Sequence, residues 1–89
     1  MRTEDQVIRQ FDMRLIRAVM PQGAPVIIVY QDPVDYPGLV VARLYNGKNG
    51  THLVALADTV EEIREAKPEQ MQIVKRIKHD PTQIVETWL

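Results

Sequence analysis

The two histidines are the first residues that could do acid–base chemistry, since an imidazole exchanges its proton near neutral pH. His52 begins the second strand of a predicted hairpin, and His79 lies beside Asp80 in a predicted turn. Adjacent side chains on a turn rarely face each other, so this pair is a weak signal of base catalysis. One hypothesis is a small ribonuclease that uses His52 or His79 together with three other side chains. Those side chains are Arg43, Tyr45 and Arg76.

Other common reaction chemistries are excluded by composition, because the chain of 89 residues contains neither cysteine nor serine. Disulfides, thiolate metal sites and both thiol and serine nucleophiles are therefore ruled out. The histidines do not have the spacing of a His-x₃-His or His-Glu-x-x-His motif, so we expect no metal ion. Gly47 and Gly50 belong to the hairpin rather than to a phosphate-binding loop, and we expect no cofactor.

The charge balance is close to neutral, with eleven Lys and Arg residues against twelve Asp and Glu residues and a net charge of −1. Bulk electrostatics therefore favours neither nucleic acid nor a membrane surface. The densest basic cluster is Lys75, Arg76 and Lys78, and strand alternation sends Arg76 and Lys78 to one face and Lys75 to the other. A nucleic-acid-binding regulator that uses these residues with Arg43 is one interpretation. An edge strand protected by lysine is the other.

The N-terminal segment is predicted to be an amphipathic helix over residues 3–20. Thr3 and Gln6 match a capping box, and Pro21 and Gly23 would end the helix. Six apolar residues form a predicted core-facing stripe, namely Val7, Ile8, Phe11, Leu15, Ala18 and Val19. A second apolar face consists of Met13, Ile16 and Met20, and such a face indicates either deeper burial or a contact with another chain.

The rest of the chain, residues 26–89, is predicted to be a sheet with one short helix. Strands at 26–30, 39–45 and 51–57 form an antiparallel meander. The segment 46–50 between the last two strands is predicted to be a hairpin turn, because its asparagines and glycines tolerate positive φ values. In the middle strand Arg43 points away from Val40, Ala42 and Leu44. A helix capped at Thr59 follows, and strands at 71–77 and 84–89 complete the chain.

The predicted fold is therefore a single α+β domain over residues 1–89, with the element order α-β-β-β-α-β-β. Its longest apolar run, at 26–30, is far shorter than the ~20 residues that cross a bilayer. Charged residues interrupt the N-terminal segment, unlike the apolar centre of a signal peptide. We expect a cytoplasmic protein with no membrane partner.

Several short motifs together resemble a family of short uncharacterised bacterial and phage proteins. The resemblance covers roughly residues 29–89 and rests on Asp35-Tyr36-Pro37-Gly38, Val41-Ala42-Arg43-Leu44, Ala57-Asp58-Thr59-Val60-Glu61-Glu62-Ile63-Arg64, Asp80-Pro81 and Ile84-Val85-Glu86-Thr87-Trp88-Leu89. It implies a fold unit of bacterial or phage origin and no particular activity. The order of elements is also similar to that of HicB-type antitoxins, although their Pro-Asp-hydrophobic-Pro-Gly stretch is missing before Asp58.

The leading functional expectation is a small non-catalytic protein-interaction module, which acts as a homodimer or as a binder or inhibitor of another protein. Strands that are apolar on both faces are usually covered on both sides, and two helices do not suffice for this. The alternatives are the antitoxin-like nucleic-acid-binding regulator and the small ribonuclease. The expected interaction residues are Met13, Ile16, Met20 and Trp88.

Overall fold

The computed structural model describes residues 4–89. Its strands are β1 Gln6–Ile8, β2 Pro25–Gln31, β3 Val40–Asn46, β4 Asn49–Ala57, β5 Ile73–Lys75 and β6 Ile84–Trp88. Its helices are α1 Met13–Val19 and α2 Val60–Ile63, and a 3₁₀ turn at Arg64–Ala66 follows α2. The protein is thus a small α+β fold in which the sheet dominates.

All six strands form one mixed sheet in the order β1-β4-β3-β2-β6-β5. Strand β1 runs parallel to β4, and the other neighbours are antiparallel. The turn between β3 and β4 contains Gly47 and Lys48, because Asn46 pairs with Asn49. Gly47 has a φ of 62°, a backbone conformation that glycine adopts without the steric cost of a Cβ.

The predicted N-terminal helix over 3–20 is wrong, and with it the predicted arrangement of the elements. Residues 6–8 instead pair with Leu53–Ala55 of β4, and the helix extends only from Met13 to Val19. Asp12 caps this shorter helix, since its carboxylate accepts the N–H of Leu15 at 2.8 Å. Tertiary structure overrides the helical pattern because the free edge of β4 supplies backbone partners for residues 6–8. The residue predicted to cap the longer helix, Thr3, lies outside the described residues.

The two helices pack on one face of the sheet, called here the helix face. Phe11, Ile16 and Met20 are buried there together with Trp88, and the rings of Phe11 and Trp88 meet edge to face at 6.5 Å. The predicted core stripe is therefore displaced, because Val7 and Val19 keep 52% and 42% of their surface exposed. Ile16 in the shorter helix and Met20 directly after it are buried in the core, so the second apolar face is explained by deeper burial.

The opposite face, called here the open face, is covered only in part. The loop over 32–39 lies against the β3–β4 half of this face, where Tyr36 forms a small buried cluster with Val41 and Val54. Asp32 shapes the loop, since its carboxylate accepts the N–H of Gly38 at 2.6 Å and its own φ is 53°. One row of paired residues crosses this face over all six strands, in the order Val7, Val54, Arg43, Ile28, Thr87 and Val74.

Over residues 4–89, the structure contains no helix that combines the length and the apolar character needed to cross a membrane.

Candidate functional site

Arg43 forms the centre of a charged cluster on the open face. Its side chain lies on the inner strand β3 and is almost completely buried. One terminal nitrogen donates to Asp5 Oδ1 at 2.9 Å and to the Thr51 carbonyl at 2.8 Å. The other donates to Asp5 Oδ2 at 2.8 Å and to Asp35 Oδ2 at 3.1 Å. All four terminal N–H groups are therefore engaged within the protein.

Asp5 is the buried partner in this cluster, and its side chain is 0% exposed. The hydrogen bonds from Arg43 hold the pKa of Asp5 well below its usual range, although burial opposes this shift. Tyr36 donates its hydroxyl to Asp5 Oδ2 at 2.8 Å. Burial and this hydrogen bond raise the pKa of Tyr36 to about 12. Within this cluster, Asp5 is thus an ionised carboxylate, Arg43 a guanidinium and Tyr36 a neutral phenol at neutral pH.

The two histidines occupy different surroundings. His52 is 59% exposed, and its Nδ1 atom lies 3.5 Å from Asp5 Oδ1, so a carboxylate can orient its ring. His79 is exposed in the turn after β5, where the neighbouring Asp80 accepts the N–H of Ile77 at 3.0 Å. Asp80 is therefore engaged with the backbone of its own turn.

A pocket of about 350 Å³ opens beside Arg43 on the open face. Its lining residues are Tyr30, Pro33, Val34, Asp35, Val41, Arg43 and Tyr45. The hydroxyl groups of Tyr30 and Tyr45 are hydrogen-bonded to each other at 2.6 Å. Burial and this hydrogen bond raise the pKa of Tyr30 well above its usual range. The Tyr45 hydroxyl, which the ribonuclease hypothesis would use, is thus held against a second tyrosine.

A second charged cluster lies on the helix face, around Glu86 of β6. Arg64 donates through Nη2 to Glu86 Oε1 at 2.7 Å, and Trp88 Nε1 donates to Oε2 at 2.8 Å. Burial would raise the pKa of Glu86, but these hydrogen bonds outweigh it, so the pKa is lowered. Sequence reasoning missed both Glu86 and Asp5. Glu86 is two residues from Trp88, so strand alternation places it on the face of the buried indole, and this signal could have revealed it.

The residues predicted to bind nucleic acid are not brought together as one basic surface. Arg43 is buried, and Arg76 donates to the carbonyls of Asp80 at 3.2 Å and Pro81 at 3.3 Å. Both guanidinium groups therefore have acceptors within the protein. Lys75 and Lys78 are exposed, Lys75 at the edge strand β5.

The residues predicted to contact another chain lie in or against the core. Ile16 and Trp88 are 0% exposed and Met20 is 2% exposed, while Met13 packs against the same cluster. The packing of these side chains within their own chain takes the predicted contact residues of this segment into the core. On the sheet, Val7 and Val74 remain accessible on the open face and Ile73 on the helix face.

The fold and the site together define a small α+β protein whose mixed sheet has one covered face and one partly covered face with a pocket. No family model, curated protein or solved structure matches this chain. The resemblances to short bacterial and phage proteins and to HicB-type antitoxins therefore stay predictions. Among residues 4–89, no group of three or more His, Asp or Glu side chains is arranged to hold a metal ion.

Proposed function

We propose that the protein is a small non-catalytic protein-interaction module that forms a homodimer through the open face of its sheet. The observation that carries this proposal is the unequal covering of that face. The loop over 32–39 packs on the β3–β4 half, where Val41 and Val54 are buried. On β2, β6 and β5, the side chains that lie on the open face keep part of their surface exposed, and Val74 keeps 42%.

Among residues 4–89, the strand positions on the uncovered half of this face carry mostly apolar side chains and no charged one. This half is called here the open strip and consists of Val26, Ile28, Val74, Ile84 and Thr87. Arg43, which pairs with Ile28, is held by Asp5 and Asp35. Two copies can therefore bring their open strips together without like-charge repulsion, and a two-fold axis makes such a surface self-complementary.

The edges of the sheet are less suited to pairing with another chain than its open face. Both edge strands, β1 and β5, have only three residues, and β5 carries Lys75. Short edge strands and edge lysines oppose the addition of another strand. These features support association between faces rather than between edges.

Two neighbouring residues of β5 provide a matched test of this surface. Val74 lies on the open face opposite Thr87, whereas Ile73 pairs with Trp88 on the helix face. Their exposed fractions are similar, 42% and 39%. We expect Val74→Lys to weaken the dimer by about tenfold or more, because it buries a charge at the interface. Ile73→Lys should leave the dimer unchanged.

Sedimentation velocity over a range of protein concentrations measures both outcomes. A monomer at tens of micromolar would overturn the homodimer, and equal effects of the two lysine substitutions would overturn the assignment to the open face. Binding of RNA or DNA that weakens steeply with salt would favour the regulator instead. RNA cleavage that is lost in His52→Ala would favour the ribonuclease. A cytoplasmic location and a bacterial or phage origin, with an inhibitor as a sub-case, belong to the same proposal.

A further inference from the structure

We propose that the pocket beside Arg43 binds a small neutral aromatic molecule that carries a carbonyl group. Such a site adds a ligand to the proposed interaction module and does not depend on its dimer. The volume of about 350 Å³ lies at the lower end of the range, roughly 300–1,000 Å³, that small-molecule sites occupy. These sites combine apolar and aromatic walls with a small number of polar groups that fix the orientation of the ligand.

The polar group that a ligand meets in this pocket is the hydroxyl pair of Tyr30 and Tyr45. The two oxygens lie 2.6 Å apart, so one phenol proton lies between them. Each phenol carries its own proton, and the pair therefore keeps a second O–H group that is not used within the pair. Among residues 4–89, neither hydroxyl has another hydrogen-bond partner. Because both tyrosines line the pocket, a bound carbonyl oxygen can accept this second proton.

The charged side chains at the pocket are engaged within the protein. All four terminal N–H groups of Arg43 have acceptors. Asp35 accepts one of them at 3.1 Å, and Asp5 is completely enclosed. An ion that leaves water without gaining a partner of opposite charge is strongly penalised. The pocket is therefore better suited to a neutral ligand than to a cation or an anion.

The walls of the pocket suit an aromatic ring. Tyr30 and Tyr45 supply two rings, against which a third packs in an offset or edge-to-face arrangement. Pro33 and Val41 add apolar contacts. The ring of Tyr45 packs closely on Gly50, since a Cβ added there would lie 3.2 Å from ring atom Cε2. This packing restrains the Tyr45 ring before a ligand arrives, which lowers the cost of ordering it on binding.

Three ligands of the same shape separate the carbonyl contact from charge. Acetophenone, benzamidinium and benzoate share a phenyl ring and a planar head group, which is neutral, cationic or anionic. The ¹⁵N-labelled protein is titrated with each, and the amide shifts of Val34 and Val41 report binding. We expect saturable shifts with acetophenone and affinities for both ions that are lower by about fivefold or more. Preference for either ion would overturn the proposal, as would the absence of saturable binding.

Phenylalanine variants test the shared proton. Tyr30→Phe and Tyr45→Phe each leave one phenol, whose O–H group no longer has a partner in the pair. At least one of them should therefore keep the affinity for acetophenone within about twofold. The double variant has no donor and should lose about fivefold or more, which is the effect of one neutral hydrogen bond. Tyr36→Phe removes a hydroxyl outside the pocket lining and should leave the affinity within about twofold.

The hydrocarbon α-methylstyrene is the matched ligand control, because a methylene group replaces the carbonyl oxygen of acetophenone. Its affinity should not fall in the double variant, since it has no oxygen to accept a proton. Equal losses for both ligands would overturn the role of the hydroxyl pair, as would an unchanged affinity for acetophenone in the double variant. A loss of about fivefold or more in both single variants would overturn the shared proton. The series on the unaltered protein decides the proposal even if a variant fails to fold.

The pocket adjoins the open strip, because Tyr45 pairs with Val26 and Arg43 pairs with Ile28. The titrations are therefore made on both the unaltered protein and Val74→Lys, a change outside the pocket lining that should weaken the proposed dimer. Saturable binding of acetophenone to Val74→Lys supports the site whatever the oligomeric state, and its absence in both proteins overturns the site. Sedimentation tests the dimer and amide shifts test the pocket, so the two failures are separate results.

Discussion

Two ion pairs lie on opposite faces of the sheet. Each is built on a buried charged residue of an inner strand, but they differ in their access to water. In each, a charged residue of an inner strand is almost fully buried, Arg43 in β3 and Glu86 in β6. Each of them binds a residue that is not part of an inner strand. Arg43 binds Asp5, which precedes β1, and Glu86 binds Arg64, which follows α2. The partners differ, since Asp5 is 0% exposed whereas the Arg64 side chain is 44% exposed.

This difference determines what happens when a partner is lost. Removal of one member of an enclosed pair leaves the other charge buried without compensation, which is strongly destabilising. Each carboxylate keeps one further hydrogen bond, from Tyr36 at Asp5 and from Trp88 at Glu86. The difference is that water can replace the half-exposed Arg64 at the surface, whereas the Asp5–Arg43 pair is enclosed. We therefore expect the Asp5–Arg43 pair to contribute more to the integrity of the fold than the Glu86–Arg64 pair.

The largest expected effect comes from Arg43→Met. This change leaves the enclosed carboxylate of Asp5 without its cation and should lower the free energy of unfolding by about 3–5 kcal/mol. Urea denaturation of the variant measures it. The double variant Asp5→Asn/Arg43→Met should recover part of this stability because it also removes the uncompensated carboxylate of Asp5. A loss below about 1 kcal/mol in Arg43→Met would contradict the importance of the enclosed pair.

Acidification should have the next largest effect. The pKa of Asp5 is lower in the folded protein than in the unfolded chain, where it is about 3.9, so its contribution is complete above that pH. The contribution is lost as the pH falls below about 4 toward the folded pKa, because protons then bind more strongly to the unfolded chain. Urea denaturation from pH 6 to pH 2 should thus show falling stability.

The variant Asp5→Asn distinguishes the contribution of Asp5 from that of Glu86 in this experiment. Of the two ion pairs, only the Glu86 pair then keeps a carboxylate whose pKa is lowered. The decline below pH 4 should therefore be shallower in Asp5→Asn than in the unaltered protein. Identical declines would show that the acid sensitivity arises elsewhere.

The smallest effect is expected from Arg64→Met. Glu86 then loses its cation but keeps the indole N–H, and the exposed edge of the site admits water. We expect a loss of about 1–2 kcal/mol, measured by thermal or urea unfolding. Glu65→Gln, at an exposed position of the 3₁₀ turn, is a suitable control and should change stability by less than about 0.5 kcal/mol. If Arg64→Met costs as much as Arg43→Met, access to water does not distinguish the pairs.

Local signals predicted the middle of the chain well. The turn between β3 and β4 forms where glycine and asparagine indicated it, and Arg43 faces away from Ala42 and Leu44 as alternation predicted. Thr59 caps α2, since its hydroxyl accepts the N–H of Glu62 at 3.1 Å. These features depend on neighbours within a few residues, whose backbone preferences the sequence displays directly.

The N-terminal segment shows why other features could not be predicted. Val7 and Ile8 fit an apolar helical stripe and equally fit a short β-branched strand, so periodicity alone did not separate the two. The strand forms because β4 has a free edge beside Leu53–Ala55, and this edge exists only after the hairpin has folded. The same displacement moves Ile16 and Met20 from a predicted contact surface into the core.

The sequence by itself determined the turn between β3 and β4, the cap of α2 at Thr59, the absence of thiol and serine chemistry, and the face of β3 on which Arg43 lies. Only the tertiary structure decided which charges meet, because Arg43 and Asp5 are 38 residues apart and Arg64 and Glu86 are 22 residues apart. Pairing over such distances depends on the order of strands in the sheet, and no local preference encodes it. The partly covered open face and its pocket follow from that order.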